Sequence, residues 1–243
     1  MTQSLYDDPA FFAGYSQLRR SQEGLDGAPE WPVLQAMLPD LRGLRIVDLG
    51  CGFGWFCRWA ASQGAARVLG LDLSEAMLAR ARSFAADERV VYAQADLARL
   101  TLPGGGFDLA YSSLALHYVA DVGRLFAEVH RALAPGGWFV FSTEHPVFMA
   151  PSKPGWVLDA AGRRTWPVDD YAMEGPRVTE WFVPGVVKHH RMMGTTINGL
   201  IAAGFAIRQV EEFFPTPTQI AERPELAEEC HRPMFLMVSA QRP

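Results

Sequence analysis

Short apolar runs recur along the chain and alternate with stretches of helical periodicity. Residues 44–49 (L-R-I-V-D-L), 67–73 (R-V-L-G-L-D-L), 89–93 (R-V-V-Y-A), 107–112 (F-D-L-A-Y-S) and 138–143 (W-F-V-F-S-T) are rich in β-branched and aromatic residues and are predicted as strands. The segments between them carry a different period. Residues 55–61 (W-F-C-R-W-A-A) are apolar and helix-like. Ser74 is placed to cap a helix with Glu75 in its first turn and Met77, Leu78 and Ala81 on one face. Asp121 caps another, in which Val122, Leu125, Phe126, Val129 and Leu133 follow the i, i+3, i+4, i+7, i+11 spacing, and Pro135-Gly136-Gly137 stops it. Strands alternating with helices imply βαβ units, hence an α/β fold with a mostly parallel sheet and right-handed crossovers.

The rhythm breaks after Thr143. Residues 144–190 are rich in proline and in large aromatics, among them Phe148, Trp156, Trp166, Tyr171, Trp181 and Phe182. A connection of that length is functional or disordered, and the aromatics argue against disorder. The α/β pattern then resumes with a helix over 195–203, closed by Gly204, and strands at 205–210 and 234–239. Residues 1–40 form a helical lead-in, with Phe11, Phe12, Tyr15 and Leu18 in one piece and 31–38 in another. We therefore expect one domain over 1–243, divided into the lead-in 1–40, a ligand-binding half 41–143, an insertion 144–190 and a closing part 191–243.

Composition narrows the partners. The net charge is −5 with no basic run, which gives nucleic-acid binding little electrostatic support. Cys51, Cys57 and Cys230 show neither metal-ligand spacing nor a disulfide framework. No apolar run approaches the length of a membrane span, and no apolar leader precedes Tyr6, so a cytoplasmic location is expected. Arginine greatly outnumbers lysine, which occurs only at 153 and 188, a bias read as genome composition.

The candidate chemistry begins where the first strand meets a glycine-rich turn, Asp48-Leu49-Gly50-Cys51-Gly52-Phe53-Gly54. Such a turn before a helix N-terminus is where an α/β sheet places a nucleotide-like ligand. A dinucleotide fingerprint, G-x-G-x-x-G, would need glycine at position 55, where Trp55 stands. Asp72 ends the second strand and can accept hydrogen bonds from both ribose hydroxyls of an adenosine-containing ligand; a surface aspartate before a helix cap is the plain alternative. Asp96-Leu97 follows the third strand, where a loop or N-cap role competes with a ligand role.

The pattern D-x-G-x-G-x-G, with Asp72, Asp96, the fourth-strand segment 107–118 and Leu133-Ala134-Pro135-Gly136-Gly137 in order, resembles the motifs of class I S-adenosylmethionine-dependent methyltransferases. The resemblance covers 44–143 in detail. It implies a doubly wound, mostly parallel seven-stranded sheet with helices on both faces, and S-adenosylmethionine as cofactor. It implies that Asp96 meets the adenine amino group and that the next backbone N–H, that of Leu97, meets the ring, with Leu73 and Met77 as apolar contacts; ordinary core packing is the alternative for these two. Asp48, Gly50, Cys51, Gly52, Gly54, Ser112 and Tyr15 complete the expected cofactor site. The chain lacks the Asn/Asp-Pro-Pro-Tyr/Phe motif of nucleic-acid amino-methylating enzymes; Ser112-Ser113-Leu114-Ala115 stands there instead. It also lacks a Pro-Cys nucleophile and the metal-ligand cluster of catechol-type methylation, so no metal is expected.

Methyl transfer from a sulfonium needs alignment more than a dedicated catalytic group. A base is required only for a protonated acceptor, and His117, His145 and His190 are the candidates, by position at the carboxyl ends of strands or next to the final helix. His130 and His231 are expected to be structural. The insertion 144–190 is expected to be a lid, with Trp156, Trp166 or Trp181 lining the acceptor pocket and His145 or His190 facing the methyl. Packing against the lead-in or a partner subunit is the alternative for the insertion, and a homodimer remains open. The favoured function is methylation of a small molecule. A non-catalytic cofactor-binding protein and a nicotinamide-dependent oxidoreductase are the alternatives.

Overall fold

The computed structural model describes residues 5–84 and 86–243. The lead-in supplies α1 (Pro9–Ser16), α2 (Arg19–Gln22) and α3 (Trp31–Ala36). The alternating half runs β1 (Arg45–Leu49), α4 (Trp55–Ser62), β2 (Arg67–Asp72), α5 (Glu75–Arg82), β3 (Val90–Gln94), β4 (Phe107–Ser113), α6 (Val122–Ala132) and β5 (Leu133–Glu144). The insertion contains α7 (Pro146–Met149) and two hairpins, β6 (Val157–Leu158) with β7 (Arg164–Thr165), and β8 (Gly175–Trp181) with β9 (Val183–His190). The chain closes with α8 (Met193–Ala202), β10 (Ala206–Glu212), α9 (Pro217–Glu222) and β11 (Phe235–Gln241).

Seven strands form one sheet in the order β3-β2-β1-β4-β5-β11-β10. β11 runs antiparallel to both neighbours, and the remaining pairs are parallel. This is the doubly wound α/β sheet the alternating pattern predicts. Helices cover both faces because each carries one apolar stripe. On one face Leu125, Phe126 and Val129 of α6 meet Phe139 and Phe141 of β5 and Leu200 of α8. On the other, Trp31 and Leu34 of α3 pack with Phe56 of α4, Tyr111 of β4 and Met237 of β11. The rings of Phe56 and Tyr111 stack with centroids 3.6 Å apart.

The expected caps form. The Ser74 side chain accepts from the Met77 N–H at 3.1 Å, and Asp121 accepts from the Arg124 N–H at 3.0 Å. One boundary differs. α6 ends at Ala132, and Leu133 already pairs with Phe107, so Pro135-Gly136-Gly137 lies inside β5 rather than between helix and strand. The extra residues are absorbed as a register shift opposite Phe107–Leu109. Gly136, at φ +80°, supplies the turn and donates its N–H to the Arg242 carbonyl at 2.8 Å.

The lead-in and the insertion are joined. β8 turns into β9 through Phe182 at φ +59°. Phe11 of α1 makes edge contacts with Trp181 and Phe182, with centroids at 5.3 and 5.6 Å. A Cβ on Gly14 would lie 2.5 Å from the Phe182 ring, so α1 needs glycine at the contact. Within the lead-in, Arg20 donates from Nη2 to both carboxylate oxygens of Glu30 at 3.0 Å, and Glu30 is 0% exposed. Removing one member of a buried pair strands the other charge. Arg20→Met is therefore expected to cost about 3–5 kcal/mol in urea unfolding. A loss below about 1 kcal/mol would show that Glu30 is solvated after all.

Candidate active site

The glycine loop leaves β1 with Gly50, Gly52 and Gly54 all at positive φ (+80°, +51°, +68°). The N–H groups of Gly50 and Cys51 both donate to the Leu71 carbonyl at 2.8 and 2.9 Å, which fixes the loop to the end of β2. A Cβ on Gly50 would collide with Ala115, and one on Gly54 with Tyr92. Gly52 is different: a Cβ there would meet nothing within 4 Å. The loop is thus held from behind and open in front.

Asp72 links the loop to the next helix. Its Oδ2 accepts from the Gly52 N–H at 2.8 Å and its Oδ1 from the Ser74 N–H at 2.9 Å. Burial raises its pKa, and these backbone donors offset part of that rise. Asp7 reaches the same helix end from the lead-in, accepting from Ser74 Oγ at 2.6 Å and the Ala76 N–H at 3.0 Å. Asp48, 2% exposed, accepts from Cys57 Sγ at 3.2 Å, and burial pushes its carboxyl up to about 7.

A cavity of about 670 Å³ opens over this loop. Of the expected cofactor residues, Asp48, Gly50, Cys51 and Gly52 line it from the loop, and Asp72, Leu73 and Met77 from the end of β2 and the start of α5. Asp96, Leu97 and Tyr15 line it as well. Gly54 instead stands behind the loop as the residue before α4. Ser112 is 0% exposed, and its hydroxyl donates to the Leu49 carbonyl at 2.7 Å, so it ties β4 to β1 rather than facing the cavity. Ser113 and Leu114 line the cavity in its place; Leu114 sits at φ +55°, with its N–H held by the Ser142 carbonyl at 3.0 Å.

Two of the three candidate histidines lie elsewhere. His145 caps α7, its Nδ1 accepting from the Val147 N–H at 3.0 Å while Nε2 meets Glu212 at 2.8 Å. His190 places Nε2 on the Tyr171 carbonyl at 2.8 Å. Neither belongs to the cavity lining, so the expectation that one of them faces the methyl is corrected. The reason is local: His145 turns into the cap of α7, and the inward side chain at that edge is Glu144. His117 does line the cavity. Its Nδ1 accepts from the Glu144 N–H at 3.4 Å, and burial, with Lys188 and Arg191 nearby, holds its pKa well below the usual range.

Around His117 the cavity carries groups the sequence did not single out. Glu144 pairs with Lys188, and the Lys188 ammonium lies 4.8 Å from the centre of the Trp181 ring. Tyr6 and Tyr118 share a hydrogen bond between their hydroxyls at 3.1 Å. All of these line the cavity. Trp181 is therefore the one expected lid tryptophan that reaches it. Trp156 and Trp166 donate their indole N–H groups to Glu228 and to the Val147 carbonyl at 2.9 and 3.0 Å and lie outside the lining. A signal for the missed pair existed: Lys188 is one of only two lysines among 22 basic residues.

Comparison with known proteins agrees with this geometry. A family model described as a methyltransferase domain matches residues 47–141. A solved S-adenosylmethionine-dependent methyltransferase from Mesorhizobium loti is 69% identical, with a TM-score of 0.87, and the match covers 90% of this chain and 100% of that one. An uncharacterised protein of Haemophilus influenzae is 33% identical over 98% of this chain and 97% of its own length. The malonyl-[acyl-carrier protein] O-methyltransferase of Pectobacterium atrosepticum is 38% identical over 110 residues, which span only 45% of this chain and 42% of that enzyme. The chain belongs to the class I S-adenosylmethionine-dependent methyltransferases, and its cofactor is S-adenosylmethionine.

The loop fits that cofactor. Gly52 leaves open the space a side chain would fill, and the half-buried Asp72 carboxylate stands beside it. Gly52→Val is expected to abolish binding of S-adenosylhomocysteine while the protein stays folded, because the added branches enter the open space and strain a positive-φ position. Calorimetry paired with circular dichroism checks this. Normal binding by a folded variant would remove the loop from the site.

Proposed function

We propose that the chain methylates a small molecule held between the glycine loop and a roof made by the lead-in and the β8–β9 hairpin. The observation that carries this reading is the continuity of one cavity from Asp72 and Asp96 to Trp181. Its volume lies in the range of small-molecule sites, roughly 300–1,000 Å³. In this reading 1–40 and 144–190 are parts of one methyltransferase domain, and the insertion acts as the lid. A net charge of −5 favours a small acceptor over nucleic acid. Among the described residues no helix is long and apolar enough to cross a membrane, and a cytoplasmic location goes with this reading.

When bound, S-adenosylmethionine supplies a methyl group activated by the positive charge on sulfur. Asp72 accepts from the ribose hydroxyls, Asp96 and the Leu97 N–H hold the adenine edge, and Leu73 and Met77 pack on the ring, as in the family. Tyr6, Tyr15 and Trp181 exclude water from the reacting end and hold the acceptor in line. Orientation of this kind supplies up to roughly 7–11 kcal/mol in favourable cases.

A protonated acceptor also needs somewhere to send its proton. His117 is poorly suited. Its Nδ1 accepts from the Glu144 N–H, so its proton sits on Nε2, and the groups around it keep it neutral. It serves as a donor that orients the acceptor. Glu144 is the better base: burial raises its pKa, Lys188 holds one oxygen, and the carboxylate takes the proton that the acceptor atom loses.

The acceptor is found by incubating the protein with methyl-labelled cofactor and fractionated metabolite extracts. Once it is in hand, Trp181→Ala is expected to raise its KM about tenfold while the affinity for S-adenosylhomocysteine changes little. An unchanged KM would place the acceptor site elsewhere.

A further inference from the structure

The cavity wall is rich in acid. Asp48, Asp72, Asp96, Glu144, Glu180 and Glu229 line it, against three side chains that carry positive charge, Arg20, Arg177 and Lys188. A ligand carboxylate is repelled along most of such a wall and needs a cation with donors to spare. Two of the three are taken up. Arg177 donates from Nε to the Ala150 carbonyl, from Nη1 to that of Pro176 and from Nη2 to those of Asp170 and Met173. Lys188 is paired with Glu144 and stands against the Trp181 ring.

Arg20, on α2, differs. Both of its bonds to Glu30 leave from Nη2, at 3.0 Å to each carboxylate oxygen. Nε and Nη1 make no hydrogen bond among the described residues, and neither is sealed in the fold: 21% of the side chain stays exposed. Phe235 backs one face of the guanidinium, with its ring centre 5.5 Å away. Burial works against the charge, but Glu30, Tyr15 and Tyr111 hold the pKa above its ordinary value, so the group stays cationic. Glu30 therefore fixes the guanidinium through one nitrogen and leaves two for a ligand. Arg20 is also tied to the cofactor side of the cavity. Tyr15 makes an edge contact with Phe53 of the glycine loop, with centroids at 5.9 Å. Burial raises the pKa of the Tyr15 hydroxyl, Arg20 lowers it and Asp72 raises it, so this hydroxyl feels both the guanidinium and the carboxylate that ends β2.

We propose that Arg20 is the carboxylate anchor of this cavity, donating from Nε or Nη1 to the carboxylate of a bound ligand. A hydrogen bond between two charged groups is among the strong ones, and it is strengthened further where water is excluded. S-adenosylmethionine brings one such carboxylate on its amino-acid tail, and an acidic acceptor brings another; the chemistry at Arg20 is the same for both. Glu30 is then a positioning residue that holds the guanidinium toward the cavity. The anchor rests on the reading of the cavity as a methyltransferase site.

The test is calorimetric and uses the full chain. One arm compares S-adenosylhomocysteine with its decarboxylated analogue, S-adenosyl-3-thiopropylamine, which keeps the ammonium and lacks only the carboxylate. The other compares phenylpropionate with phenylpropanol on protein saturated with S-adenosylhomocysteine. The carboxylate member of a pair is expected to bind at least about tenfold more tightly, in the first pair if the carboxylate is the cofactor's and in the second if it is the acceptor's. Arg20→Met combined with Glu30→Met removes both charges without stranding either. This double variant is expected to fold, which circular dichroism checks, and to abolish the preference. Should it not fold, Arg20→Lys takes its place, since it keeps a cation for Glu30, withdraws donors from the cavity and is expected to cut the preference severalfold. Equal binding within both pairs, or a preference that survives undiminished in the folded variant, would overturn the anchor. If neither adenosine ligand binds, the cofactor reading fails, and the comparison of phenylpropionate with phenylpropanol on the free protein decides Arg20 by itself.

Discussion

The sheet reverses its winding at β1. β2 follows on one side and β4 on the other, so the connections leaving β1 and β4 pass to opposite faces and a crevice must open between their carboxyl ends. Every proposed cofactor contact depends on that reversal. It brings Ala115, beyond β4, against Gly50, beyond β1, so closely that no side chain fits at Gly50. It sets Asp72 beside the open face of Gly52. The positive-φ glycines are the local means by which the backbone turns at the mouth of the crevice without filling it.

The crevice alone would leave a reactive cofactor in water. Closure comes from two distant parts of the chain that depend on each other. The lead-in is tied to the cofactor side by Asp7 on the start of α5 and to the β4 side by the Tyr6–Tyr118 hydrogen bond. The β8–β9 hairpin reaches the same place through Trp181 and Phe182, packed on Phe11 and facing Gly14. Residues far apart in sequence thus make one roof, and Glu144, Lys188 and His117 line the same cavity.

The alternating half was legible because its two periods are clean. The helix predicted over 195–203 runs from Met193 to Ala202, and the strand predicted over 67–73 runs from Arg67 to Asp72. The glycine loop was legible because its residue types have few other uses in that order. A nicotinamide reading fails on the same loop: Trp55, where the third glycine would stand, is the first residue of α4. The β8–β9 hairpin was not legible. The buried positions of β9 are Val186, Lys188 and His190, so a strand with regular alternation presents a lysine and a histidine where the pattern looks for apolar residues. The same fact hid the Glu144–Lys188 pair. Histidines drew attention as catalytic candidates because they titrate near neutral pH, yet His145 and His190 serve as a cap and a tie to Tyr171.

The claim on which the account rests is that the Asp72 carboxylate, at the end of β2 and against the Gly52 N–H, is the ribose anchor of S-adenosylmethionine. The most direct measurement is calorimetric titration of S-adenosylhomocysteine into the wild type and into Asp72→Ala, with circular dichroism to confirm that both are folded. The account predicts tight binding by the wild type and a loss of about 1.5–3 kcal/mol in the variant, as two hydroxyl donors lose a charged acceptor. Equal affinity of the two folded proteins would contradict it.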